Sequence, residues 1–344
     1  FSGLKFSVDG TAKIFSQLRG SNIPILVLRQ DLGLDIFTVP VCEVTQAVDC
    51  IGGSMSWTFE KVAGPFGFTE GAAWDGEGLL FTDIPNNRIM RYDPSTGCCT
   101  EFRSGTNEGN GLMFDRHGDL FCCEGGGRRV CRYDGTGETT VIADSFHGRR
   151  LNSPNDLAFD GEGRLWFTDP RYTVEIADLQ LMHQSIYRAE PATNGYWDIE
   201  RVTFDTTKPN GLLVAEDLSS LYVAQSHYGV DNRRELRRYA ISEDGAVGPY
   251  EVLHNFYPHR GIDGMCLDVE GNIVATAGWS DSGPGPMIYV FAPNGRVLST
   301  HPVPADKPTN CTFGDKDLST LYVTASACLF RARTDHVGYL IYPQ

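Results

Sequence analysis

One motif recurs six times, and a repeat of this length leaves few folds open. Each copy runs from an acid or amide through a small residue and an apolar stretch to a turn and a β-rich strand. The copies begin Glu70-Gly-Ala-Ala-Trp-Asp, Asn110-Gly-Leu-Met-Phe-Asp, Asn155-Asp-Leu-Ala-Phe-Asp, Asn210-Gly-Leu-Leu-Val, Asp263-Gly-Met-Cys-Leu-Asp and Asn310-Cys-Thr-Phe-Gly. The aligned apolar positions in the strands that follow are Leu80, Leu120, Leu165, Leu221, Ile273 and Leu321, separated by 40, 45, 56, 52 and 48 residues. A period of about 40–50 residues filled with short strands is that of β-propeller blades; a sandwich or a single barrel does not explain it. The expectation is an all-β chain with a six-bladed β-propeller over residues 56–344. Residues 1–55 lie outside the repeat and read as a short N-terminal extension that caps a face or supplies a closing strand. Within it, Thr11–Leu18 reads as a short helix and Ile25–Gln30 as a strand, and no function attaches to it.

Composition agrees and removes several classes of partner. Glycine is abundant at 38 of 344 residues and aromatics reach 11%, which suits many short strands joined by tight turns. The longest apolar run, Met287–Ala292, is far below the ~20 residues that span a bilayer, so an integral membrane protein is not expected. A net charge of −15 opposes nucleic acid as a partner, because phosphate backbones repel such a surface. The ten cysteines contain no C-x-x-C, and the adjacent pairs Cys98-Cys99 and Cys122-Cys123 point to opposite faces of a strand and do not pair with each other. Most read as buried small apolar residues, while Cys42 and Cys50 are near enough to close a loop in an oxidising compartment. Phe1 as first residue leaves open whether a targeting segment precedes it, so cytoplasmic and exported locations both stand. Oligomeric state is equally open.

The first residue of each copy has a fixed place. Glu70, Asn110, Asn155 and Asp263 lie ten residues before the aligned strand position, and Asn210 and Asn310 lie eleven before. In a propeller, equivalent positions at the start of the innermost strands surround the central channel. The six residues therefore form a ring of oxygen-bearing side chains with no Lys, Arg, His or Cys. Asn and Asp also serve as simple turn residues, but six in phase, one of them Glu, exceed what turn formation requires. Converging carboxylates and amides are costly to bury unless a cation neutralises them. All-oxygen ligation favours a hard divalent ion, calcium first, magnesium or manganese next, with zinc least suited. No Gly-x-Ser-x-Gly elbow and no P-loop occurs, which disfavours a serine hydrolase and a nucleotide site.

These strings, with Leu151-Asn-Ser-Pro-Asn-Asp-Leu, Trp166-Phe-Thr-Asp-Pro-Arg-Tyr and Pro209-Asn-Gly-Leu, resemble the SMP-30/gluconolactonase/luciferin-regenerating family over about residues 57–335, with Asn310-Cys-Thr-Phe closest to its bacterial gluconolactonase members. The resemblance implies a six-bladed propeller that hydrolyses sugar lactones with a divalent metal in the channel. It implies a metal held by Glu70, Asn155, Asn210 and Asp263, with Asp263 also the acid/base. Asn110, Asn155 and Asn310 would then face substrate. By their own places, Glu124 after a second-blade strand, Tyr172 (beside Arg171) after a third-blade strand and His227 just past the innermost strand of the fourth copy read as further pocket residues. The chain departs from the family at Ser153, where animal members carry a sugar-binding Arg, and at Cys123-Glu-Gly-Gly, where bacterial members often read Cys-Glu-His-Gly. Those departures bear on substrate more than on metal. The partner expected is a small-molecule lactone. Phosphotriesters or other esters on the same metal site, and a non-enzymatic binding propeller, are the alternatives.

Overall fold

The computed structural model describes residues 56–172, 178–193, 195–229 and 233–343, and the backbone of four strands before residue 39. The chain divides into two compact units, Phe1–Ser56 and Trp57–Gln344. The first contains an antiparallel sheet of Leu4–Val8, Thr11–Ser16, Ile25–Gln30 and Gly33–Thr38, in that order. The strand at Ile25–Gln30 is as expected, but the helix at Thr11–Leu18 is not formed. Thr11–Ser16 pairs on both sides, with Leu4–Val8 and with residues 25–27 of the third strand, and ladder bonds outweigh a weak helical pattern. Cys42 and Cys50 lie outside the described residues.

The second unit contains six antiparallel blades, of which blades 1–5 are each built on a four-stranded meander. Blade 1 runs Thr69–Trp74, Leu79–Asp83, Arg88–Asp93 and Cys98–Ser104, and blade 2 Gly109–Phe114, Leu120–Glu124, Arg129–Tyr133 and Thr139–Ala143. Blade 3 runs Leu157–Phe159, Leu165–Asp169, Ser185–Pro191 and Trp197–Arg201, and blade 4 Pro209–Val214, Ser220–Ser226, Arg234–Ile241 and Val247–Asn255. Blade 5 runs Ile262–Asp268, Ile273–Trp279, Ser282–Phe291 and Val297–Pro302. Blade 6 takes three strands from the end of the chain, Pro308–Gly314, Thr320–Ala325 and Cys328–Arg333, and its outermost strand from the start of the repeat region, Glu60–Ala63. The closing strand therefore falls at Glu60–Ala63. The only helix among the described residues is the 3₁₀ turn Ile84–Asn86.

The six aligned apolar positions are all buried, each in the second strand of its blade, and pack between neighbouring sheets. The ring of sheets is bolted where its two ends meet. Trp57 stacks on His301 with centroids 3.9 Å apart, and its indole N–H donates to Asp335 at 2.9 Å. His336 stands edge-on to Trp57 and lies 2.6 Å from Asp268. That hydrogen bond raises the His336 pKa above its ordinary 6.5. A raised folded value means that its stabilisation is complete below about pH 6.5 and is lost as pH rises through the folded pKa. Comparing melts of the native protein and His336→Gln across that range should show a native advantage of about 1–2 kcal/mol at the acid end that disappears at the alkaline end. A constant difference across pH would refute this account of His336.

A two-residue strand, Gly338–Tyr339, adds to the inner edge of blade 5 and brings Tyr339–Tyr342 against one end of the channel. Gly338 has to be glycine, since a Cβ there would lie 2.1 Å from Phe313 Cβ.

Candidate functional site

The backbone aims the ring residues at the axis. In five of the six blades the innermost strand is irregular where the ring residue sits, with register shifts at Glu70/Ala73, Gly109/Leu112, Pro209/Leu212, Ile262/Met265 and Pro308/Asn310. Bulges bend a strand and redirect its side chains, here at the channel mouth. Buried threonines of the second strands fix the backbone beside the ring residue in blades 3, 5 and 6: Thr168, Thr276 and Thr324 accept from the N–H groups of Asp156, Gly264 and Asn310 at 3.0–3.1 Å. The glycine after the ring residue lets the next blade approach. A Cβ on Gly71 would lie 2.1 Å from the Asn110 carbonyl oxygen, and one on Gly211 would lie 2.4 Å from that of Asp263.

Five ring residues, Glu70, Asn110, Asn155, Asn210 and Asp263, line one cavity of about 300 Å³ at the mouth. Its walls include Tyr172, Tyr228 and Trp279, with Arg260 and Lys307 also present. The volume is at the small end of ligand sites and suits a single sugar ring. Asp263 is central. Its Oδ1 accepts from the Asn210 amide at 2.5 Å, and its Oδ2 pairs with the Arg260 guanidinium. Arg260 is itself buried and fixed by donating to the carbonyls of Gly278 and Pro308 at 3.0 and 2.9 Å. Burial raises the Asp263 carboxyl pKa, against the lowering effect of Arg260 and Asn210. Glu70 is held well above the usual carboxylate range, first by burial, then by repulsion from Asp263 and Asp156. Asp156, beside Asn155, is pushed up to about 7 by burial and by Asp263.

Glu70 and Asp263 thus share the mouth with Arg260 and Lys307, while Asp156 lines a second, smaller cavity of the channel. Among the described residues no cluster of three or more His, Cys, Asp or Glu side chains is arranged as a metal site. Any cation here would be held by two carboxylates, Glu70 and Asp263, and the amide oxygens of Asn155 and Asn210. That donor set is all oxygen, and its two carboxylates match the charge of a hard divalent ion.

Several expected pocket residues lie elsewhere. Asn310 turns to the opposite side of the ring, where its Oδ1 accepts from Cys311 N–H at 2.8 Å and its side chain bonds Asp156. It lines a separate cavity of about 80 Å³ capped by Tyr339–Tyr342. Glu124 is buried and saturated by Tyr133, Arg129 and Asn107 at 2.6–2.8 Å, so it braces blade 2 instead of facing substrate. Arg171 is turned onto the Asn152 carbonyl and Asp178. His227 follows the second strand of blade 4, not its innermost, and contacts Thr207 at 3.3 Å outside the cavity lining. Tyr172 does line the cavity, its ring 6.3 Å from that of Tyr228. Ser153 bonds the Gly125 carbonyl at 3.2 Å. Sequence reasoning missed Arg260, Tyr228, Trp279 and Asp156.

The description "SMP-30/Gluconolactonase/LRE-like region" matches residues 68–327, more than half of the chain. The chain belongs to the SMP-30/gluconolactonase/LRE-like family. Among its relatives, a gluconolactonase of Zymomonas mobilis is 31% identical over 83% of this chain and 83% of its own. The diisopropyl-fluorophosphatase of Loligo vulgaris is 30% identical over 77% of this chain and 88% of its own. A solved Xanthomonas campestris gluconolactonase superposes with a TM-score of 0.71 at 28% identity, covering 81% of this chain and 89% of that one. The match over residues 68–327 takes in five of the six ring residues from Glu70 to Asp263, together with Asn310, so the whole mouth belongs to the family region.

Proposed function

We propose that this protein is a lactonase that depends on a divalent cation, calcium first, held in the channel mouth by Glu70, Asn155, Asn210 and Asp263. The observation that carries the reading is the donor set of the mouth: buried Glu70 and Asp263 line one cavity with Asn155 and Asn210, Arg260 pairs with Asp263, and among the described residues no ion pair reaches Glu70. Leaving such carboxylates unneutralised is expensive, and a doubly charged ion removes the excess. The gluconolactonase relative supports the lactone as substrate.

When bound, the cation supplies positive charge that polarises an ester carbonyl. The remaining work falls to the chain. Asn110 and Tyr172, both in the cavity lining, orient the ring of the substrate. Water adds to the carbonyl carbon as Asp263 takes its proton, the bond from that carbon to the ring oxygen breaks, and the proton passes to the departing alkoxide. The products are a carboxylic acid and a free hydroxyl on one molecule. Arg260 holds Asp263 in place through its ion pair, which makes it a positioning residue.

The test is hydrolysis of five- and six-membered lactones by protein of measured metal content, before and after chelation. Dialysed protein should retain about one divalent ion per chain, and chelation should lower turnover at least about a hundredfold, with recovery on adding calcium. Metal-free protein with full lactonase activity would overturn the cation assignment. Absence of any turnover would leave a binding propeller. The relationship to diisopropyl-fluorophosphatase favours a second reading, phosphoester substrates at the same mouth. Paraoxon turned over faster than every lactone would select it.

A further inference from the structure

The mouth is not uniformly polar. Ahead of three consecutive ring residues the chain carries a cation: Lys208 two residues before Asn210, Arg260 three before Asp263 and Lys307 three before Asn310. The corresponding places in blades 1–3 hold no cation, reading Gly67-Phe68, Asn107-Glu108 and Asn152-Ser153. Blades 4–6 therefore make one side of the mouth positive in a chain of net charge −15.

Unlike Arg260, the two lysines make no ion pair among the described residues, though the charge of Lys307 still acts on the neighbouring Asp306. The chain has six lysines, and every ion pair among the described residues is made by arginine or histidine, none by lysine. Lys61 and Lys316 are exposed, whereas Lys208 and Lys307 are half-buried beside the cavity walls. Lys208 Nζ stands 5.3 Å from the centre of the Tyr172 ring, and Lys307 Nζ stands 5.9 Å from that of Trp279; both rings line the cavity. Asp306, the acidic neighbour of Lys307, directs its Oδ1 to the N–H and hydroxyl of Ser280 at 2.7 and 3.1 Å. An ammonium half-removed from water without a carboxylate partner gains from an anionic ligand.

Resting on the lactonase reading above, we propose that the substrate is a lactone bearing a second, anionic group, a carboxylate, sulfonate or phosphate, which Lys208 and Lys307 hold at the lip. The ester carbonyl lies at the ring floor beside Asp263. Each ammonium lies against an aromatic wall of the cavity, so the lip offers positive charge beside the carboxylates of the ring. A lactone with one charged end enters in a single orientation.

The experiment compares kcat/KM for glucono-1,5-lactone and for the 1,5-lactone of glucaric acid, which replaces the terminal CH₂OH with a carboxylate, using calcium-loaded protein. The acidic lactone should be preferred by about tenfold at low salt, with the preference shrinking as ionic strength rises. Lys208→Gln and Lys307→Gln should each reduce that ratio about tenfold, mainly through KM for the acidic lactone. Lys316→Gln, on a different surface, should leave the ratio as it was. A ratio at or below one in the native protein, or one unmoved by both lysine variants, overturns the proposal. Turnover of glucono-1,5-lactone without acid preference sinks only the charge assignment, whereas failure to open either lactone removes the lactonase reading and this inference with it.

Discussion

Asp263→Asn, assayed at saturating calcium, should lower kcat for lactone opening by about 10²–10⁴, the usual worth of a positioned base. The substitution keeps the shape and removes only the charge, so the Asn210 contact at 2.5 Å and the position of the strand survive. KM should change less than kcat, because ring orientation rests on Asn110 and the tyrosines. One side effect is calculable in sign. Arg260 would lose its carboxylate and keep only the Gly278 and Pro308 carbonyls, and a buried charge stripped of its partner typically costs about 3–5 kcal/mol. Melting temperature and calcium content must therefore be measured beside turnover. Loss of kcat in folded, metal-loaded protein supports the base assignment. Near-native turnover would leave Asp263 as a holder of the cation and move the base to Glu70 or Asp156.

The architecture was legible because it is written six times. Each blade must bury the same apolar position and turn at the same place, so Leu80 through Leu321 announce themselves by period alone. The ring was legible for the same reason, as far as its membership. What the repeat does not carry is the direction of each side chain once local bonds compete. Asn310 is in phase with the others, yet its amide folds onto the Cys311 N–H and faces the far side of the ring. Glu124 follows its strand as a pocket residue would, but Tyr133 and Arg129, nine and five positions on, claim both its oxygens. Thr11–Leu18 carried a local helical pattern that two ladder partners overrode. Arg260 was missed because the motif was read from Asp263 onward. A signal for it lies upstream, in the matching lead positions of Lys208 and Lys307.

The arrangement also explains why so few groups suffice. Glycine at 71, 111, 211 and 264 allows adjacent inner strands to close up, because a Cβ at any of them would collide with the ring residue of the next blade or its neighbour. The closeness that builds the site is also what makes it electrostatically unstable when empty, since Glu70 and Asp156 are both driven up in pKa by burial and by Asp263.

Glu70→Gln turns that instability into a measurable reversal. In metal-free protein at neutral pH the substitution should raise Tm, by about 2 °C or more, because it removes a buried charge facing Asp263 and Asp156. The sign with pH follows from the raised folded pKa. Metal-free native protein should lose stability as pH climbs above about 4.5, the free value for Glu70, while the glutamine variant loses less over that range. With calcium the order should invert. Removing one of two carboxylate donors should weaken binding by about a hundredfold or more, and each tenfold loss takes about 1.4 kcal/mol from the stabilisation that a fixed calcium concentration confers. The calcium-dependent rise in Tm should accordingly be large for the native chain and small for Glu70→Gln. Equal calcium-dependent shifts in the two proteins would mean that the ion sits elsewhere and that the imbalance at the mouth is relieved by protons alone.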